Sequence, residues 1–251
     1  RKQLSAMVHN YGNVSAGTPV VILFHGFTAD KIGPNQLILN VAKAIEYSGK
    51  VAVRFDFAGS GESQEDFAKD TIVSGWQADA KSVVTWVKQQ PDFAGSPILL
   101  FGHSLGGLVA LTYPDDPAIV GRIAVSAVVY PVETFSAEAL LGAALWEKAM
   151  AGETIANFVN KGFALNDGIF VKDLINGNYQ PIDDAEKLTT PLLIVHGSED
   201  CIVPPRGSDD LHRRYKGKVT LKKLAGADHL YTGRHADVQA VVLDWLHQWD
   251  K

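Results

Sequence analysis

The chain has 251 residues, 46% of them hydrophobic and 20% charged, a balance that suits one globular domain with a sizeable core. Its formal charge of −5 gives no basic footprint for nucleic acid, and no apolar run reaches the ~18 residues of a membrane span. The single cysteine, Cys201, excludes an internal disulfide and a cysteine-rich zinc site, in keeping with a reducing compartment.

The first residues, RKQLSAMVHN, hold no apolar stretch of signal-peptide length, so a cytoplasmic location is expected. VVILF (20–24) is the first predicted strand and runs into HGFT; VAVRF (51–55) is the second and runs into DFAGSGES. Val73, Trp76, Ala80, Val83, Val84 and Val87 recur at helical spacing, which predicts an amphipathic helix over 73–90, stopped by Pro91. ILLF (98–101) is a strand that meets GHSLGG and then the helical run LGGLVAL. IAVSAVVY (123–130), LLIVH (192–196) and VTLKKL (219–224) are further strands, and Val238, Val241, Val242, Trp245 and Trp249 mark a last helix. The first five strands are rich in Val, Ile and Leu and mostly do not alternate, as parallel strands covered on both faces do.

Strands alternating with helices predict an α/β fold: an open, mostly parallel sheet with helices on both faces. No repeat or linker divides the chain, so residues 1–251 are expected to form a single domain. One excursion, from Pro131 to Thr190, far exceeds the ~2–6 residues usual for such connections. Within it AEALLGAALWEKAMA (137–151) predicts a helix with Leu, Trp and Met facing inward. Residues 132–185 are expected to be an inserted lid over the ligand side of the sheet. Trp146, Phe163, Phe170 and Tyr179 are its candidates for lining an aromatic pocket.

Ligands of such sheets sit beyond the carboxyl ends of the strands, so the residues there are the ones to read for chemistry. Ser104 lies between Gly102 and Gly106 where a strand turns into a helix, a placement that exposes a serine Oγ on a strained turn. A serine needs a base, oriented by an acid, before it attacks. His229, in KKLAGADHLYTG, follows the last strand and precedes the last helix; His235 is the next choice. Asp200, in HGSEDCIVPP, is the expected acid, with Glu199 as fallback. Asp228 is expected to stabilise its loop, and Asp56 to tie together the Gly-rich turn after the second strand. The backbone N–H groups of Leu105 and Phe27 are the expected oxyanion donors, with Gly26 allowing close approach and His25 bracing the loop.

HGFT (25–28), RFDFAGSGES (54–63), GHSLGG (102–107), HGSED (196–200) and GADH (226–229) together resemble the α/β-hydrolase fold, and more narrowly the bacterial cinnamoyl (feruloyl) esterases. The resemblance runs over nearly the whole chain. It implies Ser104, Asp200 and His229 as a catalytic triad, Phe27 and Leu105 as the oxyanion hole, and a lid that folds over an aromatic acyl group. It implies a serine carboxylesterase for hydroxycinnamate or other small acyl esters, needing neither metal nor organic cofactor. Activity is expected to rise with pH as the base loses its proton. A peptidase or amidase of the same fold, and a binding protein that kept the fold, are the alternatives. The expected partner is a small-molecule ester, and the chain is expected to be a monomer or homodimer.

Overall fold

A computed structural model describes residues 3–10, 14–160 and 162–250. The chain opens with strand β1 (Ala6–His9), followed by β2 (Val20–Phe24), helix α1 (Leu37–Tyr47) and β3 (Val51–Phe55). Helices α2 (Phe67–Asp70) and α3 (Val73–Gln89) lead to β4 (Ile98–His103), α4 (Leu105–Thr112) and β5 (Ile119–Val125). Next come α5 (Pro131–Ser136), α6 (Gly142–Met150), the two-residue strands β6 (Ile155–Ala156) and β7 (Ala164–Leu165), α7 (Ile169–Asn176) and α8 (Pro181–Ala185). Finally β8 (Leu192–Gly197), α9 (Arg206–Arg214), β9 (Val219–Leu224) and α10 (His235–Leu246) return to the sheet.

Seven strands form one sheet in the order β1-β3-β2-β4-β5-β8-β9. All neighbours run parallel except β1, which pairs antiparallel with β3. Successive strand residues face opposite sides, and helices cover both. Val20, Ile22, Phe24 and Leu100 pack with Trp76 of α3 and Leu108 of α4. Val21, Leu23, Leu99 and Phe101 pack with Ile38 and Val41 of α1 and Val242 and Leu246 of α10. Each such side chain, fully buried, contributes roughly 1.5–3 kcal/mol relative to leaving it exposed. The α/β architecture with helices on both faces is therefore the one the strand pattern predicts.

The details depart from expectation in three places. β1 carries half-exposed residues and only a short apolar run, so its pattern gives no strand signal. β5 spans 119–125 rather than 123–130. Arg122 interrupts its apolar run, yet lies fully buried in the strand, where its Nη1 donates to the Ala110 carbonyl at 2.5 Å. Beyond β5, Ala127 and Val129 are apolar because they pack under α8 and α9, not because they extend the sheet. The helix predicted over 137–151 is only α6, 142–150: residues 137–141 form a turn, Gly142 takes φ +72°, and Met150 is 46% exposed instead of facing inward.

The excursion leaves the sheet after β5 and returns at β8, two strands that are neighbours. It is anchored on the α2–α3 side, where the Asn166 N–H donates to the Ala68 carbonyl at 2.8 Å and the Ser74 hydroxyl donates to Asp173 at 2.5 Å. Lys161, inside it, lies outside the described residues. Among the described residues no helix is long and apolar enough to cross a membrane.

Candidate functional site

β4 passes into α4 with one residue between them. That residue is Ser104, at φ 56° and ψ −119°, a region that side-chain-bearing residues rarely occupy and that marks stored strain. Four backbone hydrogen bonds hold it there: its N–H donates to the Val125 carbonyl at 3.0 Å, and its carbonyl accepts from Gly107, Leu108 and Val128. A Cβ on Gly102 would lie 2.1 Å from the Gly106 carbonyl oxygen, and one on Gly106 would lie 2.4 Å from that of His25. The two glycines thus let the first turn of α4 seat against β4 and β2.

The Ser104 Oγ stands 3.1 Å from His229 Nε2, and His229 Nδ1 stands 2.8 Å from Asp200 Oδ2. A carboxylate only accepts, so Nδ1 carries the ring proton and Nε2 turns a lone pair toward the serine hydroxyl. All three side chains are buried. Burial opposes ionisation of Asp200, but hydrogen bonds from His196, His229 and the Val203 N–H prevail and hold its carboxyl well below the usual range. Glu199, the fallback acid, is exposed and contributes its backbone N–H to Ala227. His235 is engaged elsewhere, beside Asn40 and the Leu230 carbonyl. Asp228 accepts from the Leu230 and Thr232 N–H groups, the loop-holding contacts its position suggested.

The loop after β2 lies against this group: a Cβ on Gly26 would be 3.0 Å from the Ser104 Cβ. His25 clamps that loop, with Nδ1 donating to the Gly26 carbonyl and Nε2 accepting from the Phe57 N–H. Its ring sits edge-on to Phe57 and Trp76, and burial lowers its pKa. Asp56 accepts from the Lys31 N–H, the Lys31 ammonium and the Glu62 N–H, joining the loops after β2 and β3. Leu105 opens α4, so its N–H has no acceptor earlier in the helix, and the helix dipole is positive there.

Above Ser104 and His229 lies a cavity of about 230 Å³, walled by Phe27, Phe135, Leu140, Val159, Ile202 and Leu230. The four aromatic candidates for lining a pocket are not on its wall and are packing residues instead. Phe170 is fully buried and stacks on Phe27 at 5.0 Å; Phe163 packs on Phe67 at 4.5 Å. The Tyr179 hydroxyl donates to Asp173, and Trp146 packs partly buried against the core. Phe135 lies in α5, the first helix after β5, and no sequence motif marks it.

His103, within the GHSLGG motif, also belongs to the site. It is buried next to Ser104, and its Nε2–H donates to the His229 carbonyl at 3.0 Å. Burial foremost, then the nearby His229, lowers its pKa to about 3, so it stays neutral.

A sharply turned serine, a histidine within bonding reach and a carboxylate behind it agree with the family comparison, in which the alpha/beta hydrolase family model matches residues 21–241. The chain belongs to the alpha/beta hydrolase family. As a hydrolase it has relatives of similar length: an uncharacterized 31.7 kDa protein of the traX-finO intergenic region of Escherichia coli is 26% identical over 262 residues, covering 91% of this chain and 90% of that one. Monoglyceride lipase of Mus musculus is 24% identical over 259 residues, covering 93% and 83%. Among solved structures, Est1E from Butyrivibrio proteoclasticus with ferulic acid bound superimposes with a TM-score of 0.80, covering 99% of this chain and 96% of that one at 24% identity. At that identity the likeness speaks for the shared fold.

Proposed function

We propose that this hydrolase is a serine carboxylesterase that works through an acyl-enzyme on esters of small, apolar acyl groups, the hydroxycinnamoyl group among them. The contact chain Ser104–His229–Asp200, at 3.1 and 2.8 Å beneath an apolar cavity, is the observation that carries it. Ser104 Oγ attacks the ester carbonyl while His229 Nε2 takes its proton, and Asp200 stabilises the imidazolium that forms. The N–H groups of Phe27 and Leu105 receive the negative oxygen; each such donor is worth about 10²–10³ in rate. His229 then gives its proton to the departing alcohol, and water enters to release the acid by the same route.

The cavity supports a small acyl group, since its volume falls below the ~300–1,000 Å³ of most drug-sized ligand pockets. Residues 132–185 act as a lid inserted in a single domain, contributing Phe135, Leu140 and Val159 to the wall. The ferulic acid bound to Est1E and the lipase relative are consistent with ester chemistry. Ser104→Ala is expected to lower kcat by at least about 10⁴-fold and abolish the burst of p-nitrophenol from p-nitrophenyl acetate. An undiminished burst would refute the assignment. Methyl ferulate, ethyl acetate, tributyrin and a matched anilide, compared by kcat/KM, test acyl class and ester-over-amide preference; a higher value for the anilide than for its ester would overturn the esterase reading.

A further inference from the structure

His196, near the end of β8, is fully buried, and its Nε2 lies 3.2 Å from Asp200 Oδ2 and 2.8 Å from the Val203 carbonyl oxygen. Both of these neighbours only accept, so Nε2 carries the ring proton. Nδ1 is then an acceptor, and the buried Ser208 hydroxyl from α9, 2.6 Å away, donates to it. Asp200 Oδ2 is the same oxygen that receives the Nδ1–H of His229, while Oδ1 receives the N–H groups of Ile202 and Val203. The Nε2–H of His196 thus donates chiefly to the Val203 carbonyl and also faces Asp200 Oδ2, so that one carboxylate oxygen meets two imidazoles, His229 the nearer.

We infer that His196 is a positioning residue: by sharing Asp200 Oδ2 with His229, it fixes the carboxylate and moderates its pull on the His229 ring proton. The inference rests on the hydrolytic roles proposed above for Ser104, His229 and Asp200. A carboxylate oxygen already bearing a donor is a weaker acceptor for the next one. The imidazolium formed during attack is therefore stabilised less than by an undivided oxygen, and it returns its proton to the leaving alcohol more readily. Ser208 strengthens the effect, because a donor at Nδ1 polarises the ring and sharpens the Nε2–H. The other titratable groups facing this chain are His103 from the end of β4, and Asp228 and Tyr231 from the loop that carries His229. His103 is neutral and bonded to the His229 carbonyl. The Tyr231 hydroxyl is occupied by Ser126 and the Val195 carbonyl, and Asp228 by two backbone N–H groups.

The test is the pH dependence of kcat/KM for p-nitrophenyl acetate in the wild type, His196→Leu, His196→Gln and Ser208→Ala, beside labelling of Ser104 by a fluorophosphonate. Without His196 the carboxylate serves His229 alone, the imidazolium is favoured, and the acid limb of His196→Leu moves to higher pH by about half to one unit. Ser208→Ala moves it the same way by less, and His196→Gln, which restores an N–H donor, lies nearer the wild type. A limb that stays put while kcat falls, or that moves to lower pH, belongs to a merely structural residue and overturns the inference. Should His196→Leu fail to fold, Ser208→Ala decides, since it removes a single oxygen: an unmoved limb there overturns the inference as well. Failure of the wild type to label at Ser104 strikes at the hydrolytic reading itself, and is seen independently of where the limb lies.

Discussion

Ser104 occupies a backbone region that most side chains avoid, and Gly102 and Gly106 make that tolerable by clearing the space around it. Gly106→Ala drives a methyl group into the Phe24 and His25 carbonyls, so the first turn of α4 must move away from the loop that carries Phe27. A shift of ~1 Å at such a site is worth about 10²-fold in rate, and a loss of that order in burst rate, with a lowered melting temperature, is the expected outcome. Phe135 is different in kind: it is a buried part of the cavity wall and takes no part in the proposed proton transfers. Phe135→Ala should lengthen the acyl chain that gives the highest kcat/KM, measured on p-nitrophenyl esters from C2 to C8, with the burst retained.

The segment between β5 and β8 is joined to the loop after β2 through aromatic rings. Phe27 stacks with Phe158 and Phe170 and meets Phe135 edge-on at 5.1 Å. Phe170 is fully buried in α7, so Phe170→Ala leaves a cavity in this cluster and should cost roughly 3–5 kcal/mol in urea unfolding. Activity should fall with it, because Phe27 loses the ring it rests on. Boundaries at this level were only partly legible. The apolar runs of β2, β3 and β8 announce themselves because both faces are covered. β5 hides its first half behind Arg122, and β1 is an edge strand whose partly exposed residues need no apolar code.

The molecule as a whole carries a cluster of buried histidines, and this makes it sensitive to acid. His103 is neutral in the folded chain, with its pKa lowered to about 3 mainly by burial. Unfolded, it takes up a proton near the ordinary value of about 6.5. The unfolded state then binds more protons, so stability drops as pH falls from about 6.5 toward 3, by up to about 1.4 kcal/mol per pH unit. His25, also lowered by burial, acts in the same direction. Asp200 adds a second loss further down: its contribution is complete above the unfolded value of about 3.9 and disappears as pH falls through its depressed folded value. Calorimetry from pH 8 to 5 should show a falling melting temperature, and His103→Asn should flatten that slope.

Sequence alone determined the alternation of strands and helices and the glycine-flanked turn at Ser104, because each is written in a few neighbouring residues. It favoured Asp200 over Glu199 and His229 over His235 through local position and the family resemblance, without bringing any of them together in space. Tertiary structure decided which of them meet, since the contact between Ser104 and His229 spans 125 positions of chain. It also decided that Phe135, Leu140 and Val159 wall the cavity while Phe170 and Tyr179 pack elsewhere, and that His196 shares the carboxylate of Asp200. Spacing along a chain encodes which face of an element is apolar; which side chains then share one oxygen or one cavity is set only when distant elements pack.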